Sequence, residues 1–252
     1  GVRVETGRRF GKGGDLSIKS LREAGFEAIF LGVGAGKGNA PKLEGVGSGG
    51  VLDAMEFVRD VRAGHAPDMH GRTVVLGGGF TAIDAARTAV RLGSSEVIVA
   101  YRRTRQEMLA ADEEIDEAEA EGVKIMYLVS PRAVEARDGK VVGVRLSNQV
   151  LGEADASKRR APEGVKGAEF TLPCDHLVLA LGQHADEDSM EGLAREGGKL
   201  LVEEATGATS EPGVFSGGDA VRVNNVITAT AEGSRAAVSI DRYVRGDAAT
   251  LV

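Results

Sequence analysis

The stretch Val74–Arg103, "VVLGGGFTAIDAARTAVRLGSSEVIVAYRR", decides how the rest of the chain is read. "TVVLG" reads as a strand, Phe80 to Leu92 as a helix ended by Gly93, and Glu96 to Tyr101 as a second strand. Gly77, Gly79 and Ala82 form a G-x-G-x-x-A pattern at the strand-to-helix turn, with Phe80 and Thr81 opening the helix. Each small residue has a physical task. Gly77 allows the tight turn, Gly79 lets the backbone approach a pyrophosphate, and Ala82 lets helix and strand pack closely. The helix start offers unpaired N–H groups and positive partial charge to phosphates. The pattern therefore predicts a dinucleotide site, and a ligand-free glycine turn in an α/β fold is the plainer alternative.

The second strand ends on Tyr101, Arg102 and Arg103, with Arg105 close by. A strand that closes such a unit for NAD ends on an acid, which bonds the ribose 2′-OH. A guanidinium gains most from a 2′-phosphate, and an acid would repel it. The ending thus predicts NADP(H) over NAD(H). A solvated basic turn, paired with the acidic helix that follows, is the other reading. Spacing does not choose between the arginines.

The bulk numbers agree with a soluble α/β protein. The chain has 252 residues, enough for one large domain or two modest ones. Its 36 glycines fall in short clusters after apolar runs, where backbone turns sharply or meets a ligand. A formal charge of −7 argues against a nucleic-acid binder. No apolar run approaches the ~18 residues of a membrane span, and no signal peptide is visible. Cys174 is the single cysteine, which excludes an internal disulfide or an all-cysteine iron–sulfur cluster and sets a cytoplasmic expectation. The opening "GVRVET" lies inside a strand-like stretch, so the chain reads as a piece of something longer.

Outward from the central unit, Val2 and Val4 alternate like a strand, and Leu16–Glu23 is a short amphipathic segment. "FEAIFLGVGAG" (26–36) is a buried-type strand, 36–50 a connector, and Val51–Gly64 a helix. Glu107–Glu121, with eight acids and no base, reads as a solvated helix or an acidic docking face. Val123–Val129 is a strand, and Asp138-Gly139 marks a hairpin. Residues 152–169 read as a polar excursion, His176–Gly182 as a buried strand and 183–198 as an acidic loop. Gly213–Ala220 is a strand ending in glycines and an acid, and Asn225–Val244 a final helix. "FEAIFLGVGA" and "CDHLVLALGQ" share one design, which predicts one domain inserted into another with similar crossings at each seam. A boundary falls near Gly71.

Beyond these readings, "GGGFTAIDAARTAVRLG", "VIVAYRR", "EEIDEAEAEGVK", "LALGQ", "GVFSGGDAV" and "AEGSRAAVSIDRYV" resemble the glutamate synthase small-subunit family of NADPH-dependent FAD oxidoreductases. Ferredoxin:NADP oxidoreductases and the reductase portion of dihydropyrimidine dehydrogenase share the likeness, which covers nearly the whole chain and is specific for the family but not the member. It implies an α/β architecture in which a Rossmann-like NAD(P)-binding domain is inserted into an FAD-binding domain, here incomplete. The expected divisions are 1–70 for the first FAD segment and connector, 71–187 for NADP(H), and 188–252 for the returning FAD segment. By this resemblance Gly77, Gly79 and Ala82 hold the NADPH pyrophosphate, and Arg102 and Arg103 the 2′-phosphate. Gly218 and Asp219 match the second FAD motif, whose acid bonds a ribityl hydroxyl. Gly32, Gly34 and Gly182 match the seam strands beside the cofactors. Val226 and Ile227 open the helix near the flavin pyrimidine ring. A first G-x-G-x-x-G unit and a cysteine-rich segment, both family features, have no counterpart here.

The implied reaction passes a hydride from NADPH to FAD, then electrons to a partner subunit or iron–sulfur domain outside this chain. Hydride transfer needs alignment and exclusion of water more than acids or bases, so no catalytic residue is assigned. Dithiol exchange is excluded by the lone Cys174. His65, His70, His176 and His184 show no metal spacing. A non-catalytic NADP(H)-binding domain or docking subunit without its own flavin is the alternative. Exposed edges of an incomplete FAD sheet predict self-association or aggregation.

Overall fold

A computed structural model describes residues 1–155 and 158–247. The chain divides into two compact units, one of residues 38–182 and the other of residues 1–37 with the described residues from 183 onward. Helix α1 (Ile18–Glu23) and strand β1 (Ile29–Leu31) open the outer unit, and a two-residue strand β2 (Lys37–Gly38) lies at the crossing. The central unit runs through β3 (Val51–Asp53), α2 (Ala54–Arg62), β4 (Arg72–Leu76), α3 (Phe80–Arg91) and β5 (Glu96–Tyr101). It continues with α4 (Asp112–Ala120), β6 (Lys124–Tyr127), β7 (Val129–Arg137), β8 (Lys140–Ala154), β9 (Arg160–Pro173) and β10 (His176–Leu179). The chain returns through β11 (Gln183–His184), β12 (Arg195–Glu196), β13 (Lys199–Leu200), β14 (Val214–Ser216) and α5 (Val226–Arg245).

Five parallel strands in the order β3-β10-β4-β5-β6 form the central sheet. Its side chains alternate between two cores, as a strand's period of two requires. Val75, Val97, Val99 and Val178 face α2, α3 and α4, meeting Phe57, Ile83, Ala86 and Ile115. Val74, Leu76, Ile98, Ala100, Leu177 and Leu179 face the other way, onto Val134, Val144 and Leu146 of the antiparallel sheet β7-β8-β9. The near-continuous apolar runs of β4, β5 and β10 are those of strands covered on both faces.

In the outer unit β1 pairs in parallel with β14, Ile29 opposite Val214 and Leu31 opposite Ser216. The Ser216 hydroxyl donates to the Leu31 carbonyl at 2.8 Å. Ile29, Leu31, Met190, Leu193, Leu200 and Val214 form its core. Helix α5 lies against β14, with the Tyr243 ring edge-on to Phe215 at a centroid distance of 6.0 Å.

Several expectations are corrected. Contacts divide the chain after Lys37 and after Gly182, not near Gly71, because β3 joins the central sheet beside β10 and Phe57 of α2 enters the same core as α3. The two look-alike strands therefore each end at a crossing. Val2 and Val4 form no strand and are 93% and 77% exposed. The helix read over Val51–Gly64 starts three residues late, because Val51–Asp53 pair with β10 and Asp53 caps α2. The acidic helix is also shorter. A 3₁₀ turn at Arg105–Glu107 is followed by extended Met108, and α4 begins at Asp112. The polar excursion 152–169 is largely β8 and β9, which pair from Gly143–Pro173 to Ala154–Arg160.

Candidate functional site

At the C-terminal end of β4 the chain turns through Gly77-Gly78-Gly79 into α3. Gly77 has φ 146°, in the region that favours glycine, and a Cβ there would lie 2.3 Å from the Ala180 carbonyl oxygen. A Cβ on Gly78 would lie 2.4 Å from the Tyr101 ring. Gly79 differs. Its φ of −104° suits any residue, and nothing of this chain lies within 4 Å of its missing Cβ. The first two glycines are thus required by the fold, and the third leaves open space in front of the helix. Ala82 is fully buried, which brings α3 close to the sheet.

The start of α3 carries no side-chain cap and no acid in its first turn. Ser17 caps α1, Asp53 caps α2, Asn225 caps α5, and α4 opens with Asp112, Glu113 and Glu114. Among these helices α3 alone starts with neither a side-chain cap nor an acid in its first turn, and an anion placed there meets its dipole and backbone N–H groups favourably. Phe80 at the first helical position is 44% exposed, and Thr81 is half-buried.

At the end of β5 the structure separates the three arginines. Arg103 is 1% exposed; its Nε donates to the Arg160 carbonyl at 2.7 Å and its NH2 to Asp155 Oδ2 at 2.5 Å. Arg105 binds Asp112 at 2.9 Å, Asp116 at 2.5 Å and Glu119 at 3.2 Å, which hold its pKa above the ordinary value. Arg102 is exposed and has no ion pair among the described residues. Partial desolvation, then the neighbouring Arg103 charge, hold its guanidinium below its usual pKa. A cation in this setting gains from an anionic ligand. Beneath the turn, the Tyr101 hydroxyl donates to the Glu107 carbonyl at 2.6 Å. The Glu107 carboxylate accepts from the Thr104 hydroxyl at 2.5 Å and Arg160 Nε at 2.6 Å. No sequence pattern marks Asp155, Arg159 or Arg160, which reach this turn from the β8–β9 excursion.

In the outer unit, the strand β14 runs into Gly217-Gly218-Asp219. Gly218 has φ 68°, and its N–H donates to the buried Glu232 carboxylate at 2.6 Å. Asp219 is half-buried, and its Oδ1 accepts from Asn224 N at 3.1 Å. Val226 and Ile227 are each 80% exposed at the start of α5. Gly32 follows β1 and is exposed; Gly34 has φ 67° and open space around its missing Cβ. Gly182 ends the central unit with φ 95° and accepts from Asn39 N at 3.0 Å. The structure thus brings Gly77, Gly79, Phe80, Thr81, Ala82 and Arg102 to one end of the central sheet, and Gly32, Gly34, Gly218, Asp219, Val226 and Ile227 to the outer unit. No helix among the described residues is long and apolar enough to cross a membrane.

Comparison with known proteins agrees with this architecture. The chain is 41% identical over 251 residues to the NADP(+)-dependent formate dehydrogenase subunit beta of Moorella thermoacetica, covering 97% of this chain and 35% of that one. It is 35% identical to the glutamate synthase [NADPH] small chain of Escherichia coli, covering 92% of this chain and 53% of the relative. The chain thus spans only part of the relatives it matches. Its fold is that of FprA from Mycobacterium tuberculosis, solved in complex with NADPH, with a TM-score of 0.77 at 18% identity over 92% of this chain and 66% of that one. The family model for pyridine nucleotide-disulphide oxidoreductases matches residues 1–233, and the chain belongs to that family.

Proposed function

We propose that this chain is the NADPH-oxidising part of a flavoprotein oxidoreductase of the glutamate synthase small-subunit type. The carrying observation is the uncapped start of α3 behind an open Gly79, with exposed Arg102 at the neighbouring strand end. In this reading the backbone at Gly79, Phe80 and Thr81 holds the NADPH pyrophosphate and Arg102 the 2′-phosphate. Arg103, buried and paired with Asp155, shapes the turn and leaves the phosphate to its neighbour. In the outer unit, Asp219 offers a carboxylate oxygen to a flavin ribityl hydroxyl, Gly34 leaves room for a cofactor beside β1, and Val226 and Ile227 supply apolar contact to a ring.

NADPH supplies the hydride, FAD receives it, and the electrons leave toward a partner subunit or iron–sulfur domain outside this chain. The protein's task is to bind, align and exclude water. Relatives named as formate dehydrogenase and glutamate synthase subunits support the multi-subunit reading. The lone, buried Cys174 accords with a reducing, cytoplasmic setting.

The test is anaerobic mixing of the chain with FAD, followed by NADPH. Retention of flavin on gel filtration and bleaching of its visible bands by NADPH support the proposal. Binding of NADPH without flavin retention supports instead an NADP(H)-binding unit without its own flavin. The self-contained sheet and two cores of residues 38–182 favour that second reading.

A further inference from the structure

The glycine turn and the Arg102 turn leave the central sheet from neighbouring strands, and the register of β4 with β5 ends at Leu76 opposite Ala100. One further backbone bond follows, from Gly77 N–H to the Ala100 carbonyl at 3.2 Å. Beyond it Tyr101 takes over from the ladder. Its ring is buried and lies against Gly78, where a Cβ would stand 2.4 Å from ring atom Cδ2 and 2.5 Å from Cε2. The G-x-G pattern sets no requirement on its middle residue, so the glycine at position 78 answers to the tyrosine ring. The Tyr101 hydroxyl donates across the Arg102 turn to the Glu107 carbonyl at 2.6 Å. Two residues further, Leu109 N–H donates to the Gly78 carbonyl at 3.0 Å. The segment from Tyr101 to Leu109 thus starts beneath Gly78 and ends on it, with the tyrosine hydroxyl bracing its middle. Arg102 rides on this closed loop, directly after the tyrosine. From the β6–β7 junction, Leu128 N–H donates to the Arg103 carbonyl at 3.1 Å and steadies the same turn.

We propose that Tyr101 is a positioning residue for NADP(H): it locks the glycine turn and the Arg102 turn into one body, so that pyrophosphate and 2′-phosphate are gripped at a fixed separation. The inference rests on the NADP(H) reading above. A ligand held at two points gains from the second only where both can be engaged at once, and a small misplacement of either forfeits most of that gain. Tyr101 does this from beneath, with 6% of its surface exposed. Its two contributions are separable. In Tyr101→Phe the ring still fills the space under Gly78, and the Glu107 carbonyl keeps a second donor, Arg159 NH1 at 3.3 Å. In Gly78→Ala the new methyl group displaces the ring, and with it the turn that carries Arg102.

The test is calorimetric titration of the full chain and of its Tyr101→Phe, Gly78→Ala and Arg102→Ala variants with NADPH, NADH and 2′-AMP, the last a probe of the 2′-phosphate grip without the pyrophosphate. Tyr101→Phe reads the question even if Gly78→Ala does not fold. The expected result for Tyr101→Phe is a fall of about fivefold in the preference for NADPH over NADH, and a larger fall for Gly78→Ala, with 2′-AMP affinity kept within about twofold in both. Arg102→Ala, which removes the grip itself, is expected to weaken 2′-AMP and NADPH together. If Tyr101→Phe weakens 2′-AMP as much as NADPH, the tyrosine supports Arg102 alone and the inference is overturned. If Arg102→Ala loses the preference for NADPH while Tyr101→Phe keeps it in full, the inference is overturned and the NADP(H) reading stands. If the parent chain binds NADPH no better than NADH, both fall together.

Discussion

Arg103 and Asp155 lie 52 residues apart in sequence and 2.5 Å apart in space, while Arg102, one residue earlier, stands exposed without an ion pair among the described residues. The two adjacent arginines therefore do different work. Arg103→Ala removes the bonds to the Arg160 carbonyl and to Asp155 and leaves a cavity where a nearly buried side chain stood. The expected cost is about 2 kcal/mol of stability, read as a lower urea midpoint with an unchanged slope. Arg102→Ala is expected to leave the stability within about 0.5 kcal/mol of the parent.

The glycine turn offers a second contrast. Gly77→Ala forces a strained φ and a clash with the Ala180 carbonyl, and is expected to lower Tm by about 5–10 °C. Gly79→Ala meets nothing of this chain and keeps an ordinary φ. Its Tm should move by no more than about 2 °C while NADPH affinity drops at least about tenfold, because the methyl group occupies the space assigned to the pyrophosphate. Equal effects of the two substitutions on both quantities would remove the assignment of Gly79 to ligand binding.

Glu107 gives a pH prediction. The Thr104 hydroxyl, then Arg160, hold its carboxyl below the usual range against the opposing effect of burial. A carboxylate whose folded pKa is depressed contributes stability that is complete above its unfolded value, about 4.3, and is lost as pH falls through the folded value. Denaturant melts of Glu107→Gln should show a deficit at pH 7 that shrinks below about pH 4. A deficit of constant size across that range would assign the effect to packing alone.

Burial, and secondarily the Asp175 charge, push the Cys174 thiol up to about 12. Native chain at pH 8 should resist iodoacetamide, and chain unfolded in guanidinium should gain one adduct by mass. Rapid modification of the native chain would show that the β9–β10 junction opens readily.

Much of the fold is legible in the sequence because its signals are local. The run from Thr73 to Tyr101 reads strand, glycine turn, helix and strand, and β4, α3 and β5 lie there. Asp138 and Gly139, with φ of 51° and 77°, form the hairpin turn their types suggest. The last helix runs from its Asn225 cap to Gly246, which has φ 77°. What the sequence hides depends on distant partners. The strand β9 is mostly exposed on both faces, so it has no apolar alternation, and its pairing with β8 alone defines it. Val51–Asp53 carry helical spacing but are claimed by β10. The division of labour between Arg102 and Arg103 is likewise set by Asp155 and Arg160, which no motif connects to them.

The most direct measurement is a fluorescence titration of the purified chain with NADPH and NADH, repeated for Arg102→Ala. The expectation is that the parent chain binds NADPH at least about tenfold more tightly than NADH, and that Arg102→Ala erases most of the difference by weakening NADPH alone. Equal affinity for the two nucleotides in the parent chain, or a preference for NADPH that survives Arg102→Ala, would contradict it.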